Sequence, residues 1–344
     1  MKLSHALVRV WYARLFVLLF LGASYFLLIR SSDGGIFGFD SSFWGQSKLI
    51  ARFADLRLTI GDRVFPNVLV GEDGWLIFTA EGSLEDYQNS FKFSDEQIVT
   101  ITNQLAELQS RLAARGAILL VVIAPNKPTI YPEIVPSEIE KLSDTSRLER
   151  LTVHLQQNLP GILLDLRPTL SDGQAVRDVY YKTDTHWNDY GILLAYQAIL
   201  QELAKSRPEL APYPLEMFEL KEGQPELWDL AANTGGVSLR EPSLTVSPKF
   251  DNPAEYRQLE VSGRKLFTSW VADDKLPRLL MYHDSFAPRL FSLLGMHFSS
   301  AVSVPHYSGR PIWSLNWIDQ QQPDVVIIEF AERYLHDLET LLSQ

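Results

Sequence analysis

The apolar positions of this chain change period along its length. Residues 15–29 are almost wholly apolar, and extending back to Trp11 takes in only Arg14. Such a run, helical, covers roughly 28 Å, about the depth of a bilayer core. Residues 31–48 contain Ser31-Ser32-Asp33-Gly34-Gly35 and read as linker. Val68 to Phe78, broken at Gly71-Glu72-Asp73-Gly74, reads as strand, turn and strand. Ser94 then opens a helix, with Gln97 as its capping-box partner. Ile98, Ile101, Leu105, Leu108 and Leu112 recur at helical spacing, and Gly116 closes the element.

Continuous apolar runs alternate with amphipathic ones from there on. Residues 117–124 predict a strand buried on both faces, and 148–159 an amphipathic helix. Further strands are expected over 161–166, 278–282, 301–304 and 324–330, and helices over 189–204, 287–296 and after 330. This alternation predicts an α/β domain with a mostly parallel sheet, whose ligands bind beyond the carboxyl ends of the strands. Residues 207–274, rich in Pro, Glu and Gly, break the rhythm and read as an inserted irregular cap with hairpin-like pieces. The expected organisation is an N-terminal tail and apolar segment over 1–30, a linker and lead-in over 31–64, and the α/β domain over 65–344.

Charge sharpens the two ends of this picture. The net charge is −11, yet the first 30 residues carry Lys2, Arg9, Arg14 and Arg30 and no acid, which leaves the remainder at −15. An acidic body argues against nucleic acid as a partner. Bases ahead of the apolar run place the N-terminus in the cytoplasm and the body across the membrane. A cleaved signal peptide using Gly22-Ala23-Ser24 is the alternative, although Tyr25 to Ile29 continues the apolar run past it. The chain has no cysteine, which excludes disulfides, thiolate metal sites and a cysteine nucleophile.

Two segments carry candidate chemistry. In Lys182-Thr183-Asp184-Thr185-His186-Trp187-Asn188, residues two apart point the same way in extended chain. Asp184 can then accept the ring N–H of His186, fix its tautomer and stabilise its cation. In Leu279-Leu280-Met281-Tyr282-His283-Asp284-Ser285-Phe286, an apolar strand ends in polar residues before a helix. Ser285 would sit at the sheet edge as a nucleophile with His186 as its base. Plainer readings make Ser285 a helix cap and Asp184 with His186 a surface turn anchored by Trp187. A metal cluster of Asp184, His186, His283 and Asp284 is disfavoured, since no segment has helical His-x-x-x-His spacing. No cofactor or metal is expected, and Asp284 is expected to shape the turn.

These segments resemble the alginate O-acetyltransferase branch of the SGNH hydrolase-like proteins. Gly71-Glu72-Asp73-Gly74-Trp75-Leu76, Ala124-Pro125-Asn126-Lys127-Pro128 with Tyr131-Pro132, Asp184-Thr185-His186-Trp187, and Asp284-Ser285-Phe286 carry the resemblance. A C-terminal block adds Pro323 to Ile328 with Glu332-Arg333-Tyr334. The Asp/His pair precedes the serine, the reverse of ordinary SGNH esterases.

The resemblance implies a three-layer SGNH-like sandwich with this permuted order. It also implies a triad of Ser285, His186 and Asp184, and an acetyl-serine intermediate. Arg333, Tyr334, His283 and Lys127 become candidates for contact with the acyl oxygen or substrate, although Lys127 also reads as a solvated strand-end charge. His283 stands where the branch has glycine, and Asn188 where it has threonine. The resemblance further implies a polysaccharide acceptor, and a multi-pass membrane O-acyltransferase as acetyl-delivering partner. The setting would be a single-pass inner-membrane anchor with the domain in the periplasm. The shorter branch members lack a C-terminal carbohydrate-binding module, and this chain resembles them. An acetylesterase and a non-catalytic assembly component are the competing functions.

Overall fold

A computed structural model describes residues 46–261, 264–305, 314 and 316–342. The anchor expected over 1–30 and most of the linker lie outside them. Among the described residues, no helix is long and apolar enough to cross a membrane. The first element is a helix, Gln46–Thr59. A small antiparallel sheet follows, made of β1 (Val64–Phe65), β2 (Val68–Val70) and β3 (Leu76–Phe78). The turn between β2 and β3 is a single 3₁₀ turn, in which Asp73 and Gly74 both take positive φ.

The main sheet has seven strands. Its parallel part is β5 (Leu163–Asp165), β4 (Ile118–Ala124), β12 (Val325–Ala331), β10 (Arg278–His283) and β11 (Ser300–Pro305), in that spatial order. Alternate residues of the central strands feed two cores, as pleat geometry demands. Leu120, Val122 and Ala124 of β4, Leu279 and Met281 of β10, and Val325 and Ile327 of β12 join one core. Their neighbours Leu119, Val121, Ile123, Leu280, Tyr282, Val326 and Ile328 join the other. Helices Asp189–Ala204 and Pro288–Leu294 cover the first face, and Asp95–Ala113 and Arg147–Asn158 cover the second. Burial on both faces is why these strands read as unbroken apolar runs. Ser94 and Gln97 form a reciprocal capping box, and Ser146 with Glu149 makes a second one.

Segment 207–274 divides into two parts. Strands β6 (Phe218–Glu226) and β7 (Glu241–Pro248) form a hairpin, with the short helix Asp229–Asn233 between them. Strands β8 (Ala254–Val261) and β9 (Arg264–Val271) form a second hairpin that extends the main sheet antiparallel to β11. Strand β8 lies at the sheet edge with residues 255–260 all exposed, so this hairpin lacks the apolar runs that mark the central strands.

Candidate functional site

The carboxyl ends of three adjacent parallel strands supply the chemistry. Strand β4 leads to Asn126 and Lys127, β10 to Asp284 and Ser285, and β12 to Glu332 and Arg333. The fourth contribution is the loop ahead of helix Asp189–Ala204, which carries Asp184 and His186. Asn188 caps that helix by accepting from the Tyr190 and Gly191 N–H groups. The helix start is tightly packed, since a Cβ on Gly191 would meet the Val179 carbonyl oxygen at 2.3 Å.

Asp184, His186 and Ser285 lie in line. His186 Nδ1 donates to Asp184 Oδ1 at 2.7 Å, and the same oxygen accepts the His186 backbone N–H at 2.8 Å. This bond fixes the tautomer, so His186 Nε2 is the acceptor of the Ser285 hydroxyl at 2.9 Å. Burial alone would raise the Asp184 carboxyl. The hydrogen bonds and charge of His186, with the Lys127 ammonium, instead hold it below the usual range. Ser285 is exposed, so its oxygen is open to a reactant. It does not cap the following helix, which starts at Pro288 after Ala287. Trp187 is buried and ties the two segments together, its Nε1 donating to the Phe286 carbonyl at 3.0 Å.

Asp284 shapes the nucleophile turn. One carboxylate oxygen accepts from Phe286 N–H at 2.8 Å and the other from Ala331 N–H at 2.7 Å. Phe286 N–H is thereby committed, which leaves the Ser285 N–H as a candidate oxyanion donor. Glu329 is fully buried beside this turn. Burial first, and repulsion from Asp284 second, push its carboxyl well above the ordinary range.

Two of the remaining candidates occupy places that correct the sequence reading. His283 is sealed beneath the turn, 2% exposed, with Nδ1 donating to the Asp284 carbonyl and Nε2 accepting from the Ser303 hydroxyl. It therefore meets no substrate, because both ring nitrogens are spent on the scaffold. Lys127 is not a solvated strand-end charge. Its ammonium is buried and donates to the Leu76 and Lys182 carbonyls, beneath the Asp184 loop. Burial lowers it to about 8, against the pull of Asp184, Asp229 and Glu241.

Arg333 and Tyr334 border the triad. The Arg333 guanidinium lies 5.3 Å from the Phe286 ring centroid and 4.7 Å from that of Tyr334. Its Nε donates to Glu81 at 3.2 Å, and the Tyr334 hydroxyl makes a short bond to the same carboxylate. Phe286 in turn packs on the His186 ring, with centroids 4.7 Å apart.

Three site residues carried no sequence signal. Glu241 accepts the Lys182 and Thr183 N–H groups and the Thr183 hydroxyl, clamping the Asp184 loop from β7. Asp229 accepts the Thr185 N–H at 2.7 Å, and its other oxygen lies 3.8 Å from His186 Nδ1. Burial, then repulsion from Asp184, raises its carboxyl. Glu81 lies beside Arg333 as described. All three are acids in an acid-rich chain, and only the fold distinguishes them. The His283–Asp284 metal grouping is not assembled. A different set, Asp184, His186 and Asp229, offers ligand atoms within 4.8 Å of one another, each already engaged by the hydrogen bonds above.

The family model described as SGNH hydrolase-like domain, acetyltransferase AlgX, matches residues 68–269. The chain is similar to a probable alginate O-acetylase AlgJ of Pseudomonas aeruginosa, 25% identical over 304 residues, covering 85% of this chain and 68% of the relative. Bacillus cereus PatB1, solved with a sulfonyl adduct, shares the fold at a TM-score of 0.60 and 16% identity, over 80% of this chain and 99% of that one. The O-acetyltransferase domain of Pseudomonas putida AlgJ does so at 0.52 and 19%, over 80% and 93%. With a match over more than half its length and the SGNH-like layers around a permuted Asp–His–Ser line, the chain belongs to the AlgX family of SGNH hydrolase-like acetyltransferase domains.

Proposed function

We propose that this protein transfers acetyl groups to hydroxyls of an exopolysaccharide through an acetyl ester on Ser285. The observation that carries the proposal is the unbroken line from Asp184 through His186 to Ser285, at 2.7 and 2.9 Å. Ser285 Oγ attacks the acetyl carbonyl of a donor ester and its proton passes to His186 Nε2. Asp184 holds the imidazolium, and the Ser285 N–H faces the developing oxyanion. Collapse expels the donor's leaving group, which takes the proton from His186. A sugar hydroxyl then gives its proton to His186 and attacks the acetyl carbon, and Ser285 recovers the proton on release.

Relatives named as alginate O-acetylases support a polyuronate acceptor. The apolar run at 15–29 and the bases before it support a single-pass inner-membrane anchor with the domain in the periplasm. In that setting a multi-pass membrane O-acyltransferase is the partner we infer for acetyl supply.

The test incubates the full chain with an acetyl-ester donor, with and without oligosaccharide acceptor, and follows sugar and the Ser285 peptide by mass spectrometry. Acetylated sugar, lost in Ser285→Ala, is expected. Free acetate alone in the presence of acceptor would establish an esterase instead. Full activity in Ser285→Ala would exclude the mechanism.

A further inference from the structure

Helix Gln46–Thr59 has two faces of opposite use. Ala54 is buried against Leu230 and Ala231, with Leu58 packed beside them. Asp55 accepts from the Val237 and Ser238 N–H groups and from the Ser238 hydroxyl at 2.7 Å. The helix is therefore fastened to the segment that begins at Asp229, the residue beside His186. The other face is apolar and open. Leu49 is 57% exposed, Phe53 62%, Leu56 55% and Ile60 73%. The Ile60 N–H still bonds to the Leu56 carbonyl, so the helical spacing runs through it. At the helical period these four side chains fall within an arc of roughly 60°.

Two further observations bear on what this stripe would meet. Lys48 and Arg52 flank it on one side, in a body that is otherwise strongly acidic, while Arg57 on the other side is paired with Asp62. Basic residues bordering an apolar helical stripe are the composition of an interfacial helix on anionic lipid. The stripe also begins 20 residues after the apolar run at 15–29 ends, counting from Ile29 to Leu49. That tether keeps the helix beside whatever membrane the run enters.

We propose that helix Gln46–Thr59 lies on the outer surface of the anchoring membrane, with Leu49, Phe53, Leu56 and Ile60 in the boundary between headgroups and acyl chains. This rests on the anchor reading above. Through Asp55 and the segment at 229–238, the helix then holds the His186 side of the site close to that surface. An acetyl group delivered across the membrane would thus arrive near Ser285.

The absence of cysteine makes the test clean. Phe53→Cys and Leu49→Cys, and Val153→Cys on helix Arg147–Asn158 as control, each take one environment-sensitive fluorophore in the full chain. The protein is reconstituted in vesicles of phosphatidylethanolamine and phosphatidylglycerol whose lipids carry a nitroxide high on the acyl chain. Labels at 49 and 53 are expected to lose most of their fluorescence to the nitroxide and to resist aqueous iodide, while the label at 153 does the reverse. Iodide quenching at 49 and 53 in chain that resists alkaline extraction would overturn the helix placement and leave the anchor standing. Chain that washes off the vesicles would overturn both. Shielding from iodide without nitroxide quenching would also overturn the proposal, because a protein surface would then cover the stripe.

Discussion

Replacing Asp229 by Asn removes a charge from beside His186 while keeping the shape of the site. The Asn carbonyl still accepts the Thr185 N–H that Asp229 holds at 2.7 Å. What is lost is an anion whose oxygen lies 3.8 Å from His186 Nδ1. At an effective dielectric of about 20, a unit pair at this distance is worth about 4 kcal/mol. The Asp229 side chain is 40% exposed, and solvent screening reduces the effect to about 1–2 kcal/mol. His186 is cationic in both transition states, so the loss falls on them. The expected outcome is a fall in kcat/KM of roughly tenfold. The assay is acetyl transfer from a chromogenic acetyl ester, with thermal unfolding as a control for folding. Asp184→Asn is the reference, because it replaces the direct acceptor of Nδ1–H and disturbs the tautomer. It should cost about 10³–10⁴-fold. An Asp229→Asn enzyme within twofold of wild type would refute the electrostatic reasoning. A loss matching Asp184→Asn, with unchanged melting, would show that Asp229 orients the base as much as Asp184 does.

Two other perturbations probe the scaffold. Lys127 is lowered to about 8 in the folded state from 10.5, so the fold favours its neutral form. Between these values the unfolded chain binds the proton and the folded one does not, so stability rises with pH across that window, by about 3 kcal/mol at most. Denaturant titrations at several pH values should show this slope in wild type and not in Lys127→Met. Gly191→Ala drives a Cβ to 2.3 Å from the Val179 carbonyl oxygen and 3.1 Å from the Trp187 Cβ. It should cost about 2–4 kcal/mol of stability, read by denaturant unfolding, and lower acetyl transfer by displacing the His186 loop.

Local features were legible because local physics sets them. Ser94 with Gln97 announces a helix start through its own capping bonds, and residues 118–124 announce a central strand because both their faces are buried. Asp184 and His186 were readable as a pair from their spacing of two, although the structure joins them through a bend over 182–186, where Asp184 also accepts the His186 backbone N–H, rather than through extended chain. Ser285 was readable from an apolar strand ending in polar residues. Asp229, Glu241 and Glu81 had no such local mark. Their partners lie 44 or more residues away in sequence, and an acid in an acidic chain looks the same whether it clamps a loop or faces water.

Sequence by itself determined the alternation of elements, the two polar strand ends and the apolar, base-flanked N-terminal run. Tertiary structure alone decided which polar residues face a reactant. It closed the gap between His186 and Ser285, 99 positions apart, to 2.9 Å. It also buried His283 and Lys127, which a linear reading leaves as exposed as Ser285. The physical reason is that direction and burial at the end of a strand depend on what the neighbouring strands and loops place beside it. Beside β10 those neighbours are β11 and β12, and Ser303 of β11 takes the His283 ring inward while Ser285 is left open.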